Sequence, residues 1–419
     1  MLKAVTVALL AGAVLHASQA APQSLSKFDR GASLEMLRSI KSDLKDHYYD
    51  KTFRGMDVEA VFAETEQKLQ TAASAVDAGI LLADVLLRLN DSHTVFYPPD
   101  RSTRVDYGWT AAMIGDRPYV VSVKRGSDAE KKGMAPGDRI LFWNRFEPTR
   151  KTLWQLNYLY RYVRTQAMQR VIVAKPDDSE KVLDVNSKVE PRYNQLTDLL
   201  EEIATDARTR PDRWAKSGDT LVWRYTQFAE LEAAERALKA ARGAKSLVID
   251  LRDNGGGDVE TLKEVVARVF DRDVLVGTMV GRKEETPLRA KGRKDAFTGP
   301  VVVLVDSRSA SAAEVLARVM QIEKRGTVIG DRTAGAVMTS RFFPHTLGIQ
   351  SIAFYGVSIT VGALRMSDGQ SLEHQGVAPD ELLLPTGADL AAGRDPVLAR
   401  AIALLGGSIT AEQAGQLLK

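Results

Sequence analysis

Apolar residues recur at spacings of three and four from Ser26 to about Leu89, with Leu34, Leu37, Ile40 and Leu44 on one face, and this period predicts helices. Tyr97-Pro98-Pro99 ends that pattern, because proline lacks a backbone donor and restricts the residue before it. From Val105 to about Val185 the texture changes to short alternating strands: Pro118-Tyr119-Val120-Val121-Ser122-Val123, a turn at Gly133-Met134-Ala135-Pro136-Gly137-Asp138, then Arg139-Ile140-Leu141-Phe142. A helix is expected from Leu153 to Arg164, and the polar stretch Val189 to Ser217 is also expected to be helical. Strands and helices then alternate: strand Leu221 to Tyr225, helix Leu231 to Ala241, strand Ser246 to Leu251, strand Val301 to Asp306, helix Ala312 to Ile322, strand Thr327 to Ile329. Nearly unbroken apolar strands alternating with helices predict a mixed α/β layer fold with largely parallel strands.

A chain of 419 residues exceeds what one core usually serves. The pattern divides it into residues 1–20, a helical domain at 21–102, a β-rich domain at 103–188, an α/β core at 189–405 and a tail at 406–419. Residues 1–20 read as a signal peptide: Lys3, an apolar stretch from Ala4 to Leu15, and Ser18-Gln19-Ala20 as a cleavage site. That stretch is shorter than the roughly 20 residues a spanning helix needs, so a stable membrane span is not expected. Export to the bacterial envelope, periplasmic or secreted, is the expected location.

With 57 basic and 54 acidic side chains in no dominant run, the net charge of +3 gives no reason to expect nucleic acid as a partner. Cysteine is absent, which excludes disulfides, thiol nucleophiles and thiolate metal sites. The histidines lack ligand spacing with carboxylates, so neither a metal nor a cofactor is expected.

Two segments carry candidate chemistry. Asp250-Leu251-Arg252-Asp253-Asn254-Gly255-Gly256-Gly257 follows a buried strand, and its glycines can bring bare N–H groups close to an anion or simply make a tight turn. Arg252 and Asp253 read as structural rather than substrate contacts. It lacks the spacing of a nucleotide phosphate loop. In Val301 to Glu314 a strand turns sharply into a helix and presents Ser311 at the helix mouth, where amides favour negative charge. Ser311 with Glu314 three residues on also reads as a capping box, which needs no catalysis.

Gly126, Ser127, Ala129, Gly133, Gly137, Asp138, Ile140 and Leu141 fit the turn-and-strand run of a PDZ domain, so residues 103–188 resemble one; an unrelated β-hairpin insert is the plainer alternative. The resemblance implies capture of an extended peptide end by strand addition. Asp-Leu-Arg-x-Asn-Gly-Gly-Gly, then Ser309-Ala310-Ser311-Ala312-Ala313-Glu314, Gly330-Asp331-Arg332-Thr333-Ala334-Gly335-Ala336 and Gly376-Val377-Ala378-Pro379-Asp380 together resemble the S41 peptidases, the C-terminal-processing and tricorn-like enzymes. The resemblance covers nearly all of the chain after the leader. It implies a ClpP/crotonase-like layered α/β core with an N-terminal helical cap and the PDZ-like β-rich domain.

That family has two catalytic designs. In the processing branch a lysine assists the serine, and it would fall at the position of Ala336, so this chain cannot use it. Tricorn-like members use a histidine, a neighbouring serine and a glutamate, which match His93, Ser92 and Glu373. The chemistry agrees: a serine hydroxyl needs a base of pKa near 7, and the base needs an orienting partner. Of the five histidines, His16 lies in the expected leader, His47 in the helical part, and His374 beside Glu373 is the runner-up base. The resemblance further implies an oxyanion hole from backbone N–H groups of Gly256 or Gly255 and of Ala312.

The expected function is a serine endopeptidase acting on polypeptide through a Ser311 acyl-enzyme. Closure of the cap would assemble the triad, so occupancy of the PDZ-like domain would gate activity. The alternatives are a non-catalytic peptide- or lipid-binding member of the same fold, and an enzyme acting on an acyl thioester.

Overall fold

The computed structural model describes residues 25–99, 103–191, 212–229, 231–348 and 353–418. The expected signal peptide at 1–20 lies outside them, as does most of the polar stretch 189–217. Within that stretch Arg213–Ser217 is a strand, not a helix, pairing antiparallel with Thr220–Arg224.

Helices Lys27–His47, Val58–Gln70 and Ala75–Leu87 form the N-terminal part. Each starts on a side-chain oxygen that accepts an otherwise unpaired amide: Ser26 from Asp29, Asp57 from Ala60, Ser74 from Asp77. Their apolar faces close around Ile40, Leu44, Leu82 and Leu86, all at 0% exposure, and the same core continues into Tyr355, Val357 and Ile359 of a long strand. The helical part is therefore docked on the sheet beneath it.

The β-rich part is a five-stranded antiparallel sheet in the order Trp109–Ile114, Arg117–Val123, Arg139–Trp143, Met168–Ala174, Glu180–Asn186. It has its own core, with Trp109 and Trp143 packed 4.8 Å apart between centroids. The expected helix from Leu153 forms as Leu153–Tyr158 followed by a wider turn over Leu159–Val163.

In the core, six strands run in the order Glu381–Leu382, Thr327–Gly330, Val301–Val305, Ser246–Asp250, Thr220–Arg224, Arg213–Ser217, parallel except for the last. Their residues alternate between two apolar layers. Leu247, Ile249, Val301, Val303 and Val305 meet the helices Val259–Ala267 and Ala312–Ile322, whereas Val248, Val302 and Leu304 meet Val397, Leu398 and Ile402 of the helix Pro396–Leu404. Burial on both faces explains why these strands read as unbroken apolar runs. The last residues belong to the second layer too: Ala414 and Leu418 are buried there.

A second, antiparallel sheet escaped the sequence pattern. Val95–Tyr97, Met338–Leu347 and Val274–Gly281 all pair with the 14-residue strand Ala353–Met366. Met338–Leu347 mixes exposed polar and half-buried residues, so neither alternation nor an apolar run announces it. This sheet carries the chain from the N-terminal helices onto the core.

Buried polar contacts fasten the β-rich part to the core. Asp331, 6% exposed, accepts hydrogen bonds from Gly115 N–H (2.9 Å) and the Arg150 guanidinium (2.8 Å), and Ser307 Oγ donates to Met113 O (2.7 Å). Asp331→Ala strands a largely buried guanidinium and an amide, which is expected to cost about 2–3 kcal/mol. A denaturant-unfolding midpoint equal to that of the unaltered chain contradicts this.

Candidate active site

Ser311 stands where the strand Val301–Val305 turns into the helix Ala312–Ile322. The turn is held by its own polar groups. Ser309, fully buried, donates from its hydroxyl to Leu251 O (2.7 Å), Ala310 N–H donates to Asn254 O (2.9 Å), and Asp306 accepts from the amides of Arg308 (2.9 Å) and Asp253 (3.0 Å). These bonds weld the serine turn to the glycine loop. Ser311 itself has φ +54° and ψ −120°, a conformation that a side chain disfavours and that surrounding structure must impose.

Gly256 lies against it. A Cβ there would meet Ser311 Cβ at 2.5 Å and the Ala312 nitrogen at 3.0 Å, and its φ is +96°, so only glycine permits this approach. Its N–H, expected among the oxyanion donors, is instead given to Asn254 Oδ1 (2.8 Å). Asn254, at 0% exposure, also donates from Nδ2 to Tyr225 O (2.8 Å) and so fixes the loop. Gly255 is exposed, with open space around it. Among the described residues, no hydrogen bond to the chain occupies the N–H of Gly255 or Ala312. Beside this loop a cleft of about 300 Å³ opens between Ala112, Met113 and Ile114 of the β-rich sheet and Asp253, Asp306 and Arg308 of the core.

Arg252 is held between Asp250 (2.8 Å) and Asp395 (2.7 Å), and Asp250 also accepts from Arg224 (2.8 Å). The two guanidiniums hold the buried Asp250 carboxyl well below the usual carboxylate range, although burial pushes the other way. Arg308 is paired with Asp253 at 2.8 Å.

Ser92 and His93 come from the loop that follows the helix Ala75–Leu87. Asp91, 1% exposed, shapes that loop: Oδ1 accepts from the amides of His93 (2.9 Å) and Thr94 (3.1 Å) and from the Thr360 hydroxyl (2.6 Å), and Oδ2 accepts from the Tyr48 hydroxyl (2.9 Å). Glu373 lies 281 residues from Ser92 in the chain, yet accepts from the Ser92 amide (3.0 Å) and the Ser92 hydroxyl (3.0 Å). The hydroxyl has one proton, and a carboxylate only accepts, so that proton points to Glu373. Ser92 Oγ, 2.7 Å from His93 Nδ1, must then accept, which puts the His93 proton on Nδ1 and the lone pair on Nε2.

Burial lowers the His93 pKa below its ordinary 6.5, while the charges of Glu373 and Asp91 oppose the shift. His93 is neutral at pH 7. His374 is arranged differently: its ring is turned to Asn90 O (2.7 Å) and is partly exposed. The same Nε2 lies 3.3 Å from the Arg54 guanidinium, so this ring is taken up by Asn90 and Arg54.

The two halves meet at one planar peptide group. Ala336 C=O accepts from Ser311 N–H (2.9 Å), and Val337 N–H donates to Glu373 Oε2 (2.9 Å). Ser311 and the Glu373-Ser92-His93 chain are thus anchored to opposite ends of the same unit. The sequence pattern does not mark Asp91, Asn254 or the Glu314 carboxylate as site residues, although an aspartate two residues before His93 has the usual spacing of an Asx turn. No group of three or more potential metal ligands forms among the described residues.

Residues 219–383 match the model described as peptidase family S41. The chain is 24% identical over 354 residues to the chloroplastic carboxyl-terminal-processing peptidase 2 of Arabidopsis thaliana, covering 80% of this chain and 66% of that protein. It is 24% identical over 292 residues to the carboxyl-terminal-processing protease of a Synechocystis species, covering 68% of this chain and 64% of that protein. The family model and these relatives support S41. The chain spans 62% to 66% of the length of the first curated relatives it matches. The structure of mature CPAF superposes with a TM-score of 0.66 at 16% identity, covering 87% of this chain and 94% of that one, a likeness of fold. The S41 segment contains the glycine loop, Ser311 and Glu373, whereas Ser92 and His93 lie before it.

His93 gives a direct prediction. Its ring resonances should titrate below 6.5, and Glu373→Gln should lower the pKa further by removing an opposing charge. Because the folded pKa is depressed, this residue's contribution to stability is present above pH 6.5 and is lost as pH falls. A His93 pKa that rises in Glu373→Gln overturns the assignment.

Proposed function

We propose that the chain is a serine endopeptidase in which Ser311 attacks a peptide carbonyl and His93 Nε2 takes the serine proton. The observation that carries this reading is the bond chain from Glu373 through Ser92 to His93 Nδ1, which leaves an unprotonated Nε2 on an arm anchored to the same peptide group as Ser311. As His93 gains charge, Ser92 passes the stabilising influence of Glu373 to the ring. His93 then gives the proton to the leaving amine, and water, deprotonated by the same nitrogen, resolves the acyl-enzyme.

The oxyanion falls to the N–H groups of Gly255 and Ala312, with Ala312 at the positive end of its helix. Gly256 serves by letting the loop approach Ser311. A donor of this kind is worth about 3 kcal/mol of barrier.

The β-rich part is read as a PDZ-like module, whose strand Trp109–Ile114 is an edge strand of its sheet and lines the cleft through Ala112, Met113 and Ile114. An extended polypeptide adding to that edge is led toward the Asp253–Gly257 loop. The names of the processing-protease relatives support polypeptide as the substrate class. With the leader reading, they support a periplasmic or otherwise extracytoplasmic place of action.

Fluorophosphonate labelling and casein hydrolysis by the full chain test the proposal. Labelling should occur in the unaltered protein, vanish in Ser311→Ala, and fall at least 1000-fold in His93→Ala, the usual scale for a lost base-nucleophile pair. A folded chain that never labels is a binder. For the gating expectation, deletion of residues 103–188 should change turnover; equal turnover removes that role.

A further inference from the structure

Glu314 is 0% exposed, yet four donors converge on it. Oε1 accepts from the Thr333 hydroxyl (2.5 Å) and Gly335 N–H (2.8 Å); Oε2 accepts from Ala336 N–H (2.9 Å) and, at 3.1 Å, shares the Ser311 N–H with Ala336 O (2.9 Å). Thr333 Oγ in turn accepts from Val377 N–H (2.6 Å). A capping box asks only one bond of this carboxylate, from the Ser311 amide. A carboxylate taken fully out of water carries a penalty of several kcal/mol unless its lone pairs are filled. Here all the donors are neutral, and two are the successive amides of residues 335 and 336. The next amide, Val337, is the one held by Glu373.

Three consecutive N–H groups are therefore shared between two carboxylates, Glu314 on the serine side and Glu373 on the histidine side. The first carboxylate also holds the amide of a serine whose φ is +54°. We infer that Glu314 is a positioning residue for the reaction: it imposes the Ser311 backbone conformation and fixes the 335–337 strip, setting the reach from the serine oxygen to His93. This rests on the hydrolase reading above. Burial outweighs the opposing pull of the four donors and leaves the Glu314 carboxyl raised to about 7; the clamp itself is the geometry of four donors on two oxygens.

The test is the rate of fluorophosphonate labelling as a function of probe concentration, on the full chain. Glu314→Gln keeps the volume but turns an NH₂ toward two of the donors; Glu314→Asp keeps the charge but reaches only one side of the clamp. Misplacing a reacting atom by about 1 Å costs on the order of 100-fold. The maximal labelling rate should fall on that scale in Glu314→Gln and less in Glu314→Asp, with the half-saturating probe concentration within about threefold, since the oxyanion donors remain. An unchanged maximal rate in either folded variant overturns the inference, as does an equal loss in rate and affinity. If neither variant folds, Glu314 is a folding requirement and the inference is also overturned. Failure of the underlying reading looks different: the unaltered protein itself is not labelled, or Ser311→Ala is.

Discussion

The peptide group between Ala336 and Val337 is the constraint on which the rest of the site depends. Its carbonyl holds the amide of Ser311 and its neighbouring N–H holds Glu373, so one rigid plane sets the relation between a strand-helix turn of the core and a loop from the N-terminal helices. A serine and a histidine brought from distant parts of a chain need such a common reference. For the proposed proton transfer such a reference matters because base and nucleophile must come within hydrogen-bond reach.

Around that plane the chain concentrates buried carboxylates and treats them in two ways. Asp250 is neutralised by Arg224 and Arg252 and ties the end of its strand to Asp395 at the start of another helix, a structural use. Asp91, Glu314 and Glu373 accept from amides and hydroxyls instead. Hydrogen bonds fill their lone pairs while their charge stays in the site. Burial disfavours the cation that His93 becomes on taking a proton, and the charges of Glu373 and Asp91 oppose that penalty.

The docking of the helical part follows the same logic. Tyr48 and Thr360 both donate to Asp91, so the loop carrying His93 is gripped from a helix on one side and a strand on the other. The apolar core shared with Tyr355, Val357 and Ile359 then makes movement of His93 a movement of the whole helical unit.

Much of the fold was legible in local pattern. The helix Ala312–Ile322 and the strands Val301–Val305 and Ser246–Asp250 follow from apolar runs buried on both faces. The antiparallel sheet around Ala353–Met366 did not, because its strands alternate irregularly and are specified by pairing partners rather than by their own period. By itself the sequence determined that Ser311 ends a strand and opens a helix, that position 336 offers no lysine, and that thiol chemistry is absent. It narrowed the base of the proposed reaction to a few histidines. Only the tertiary structure decided how those residues meet: it joined Ser92 to Glu373 across 281 positions and set the proton on His93 Nδ1. It also gave the Gly256 amide to Asn254. Hydrogen-bond partnership between distant segments depends on how layers stack, and no local periodicity encodes it.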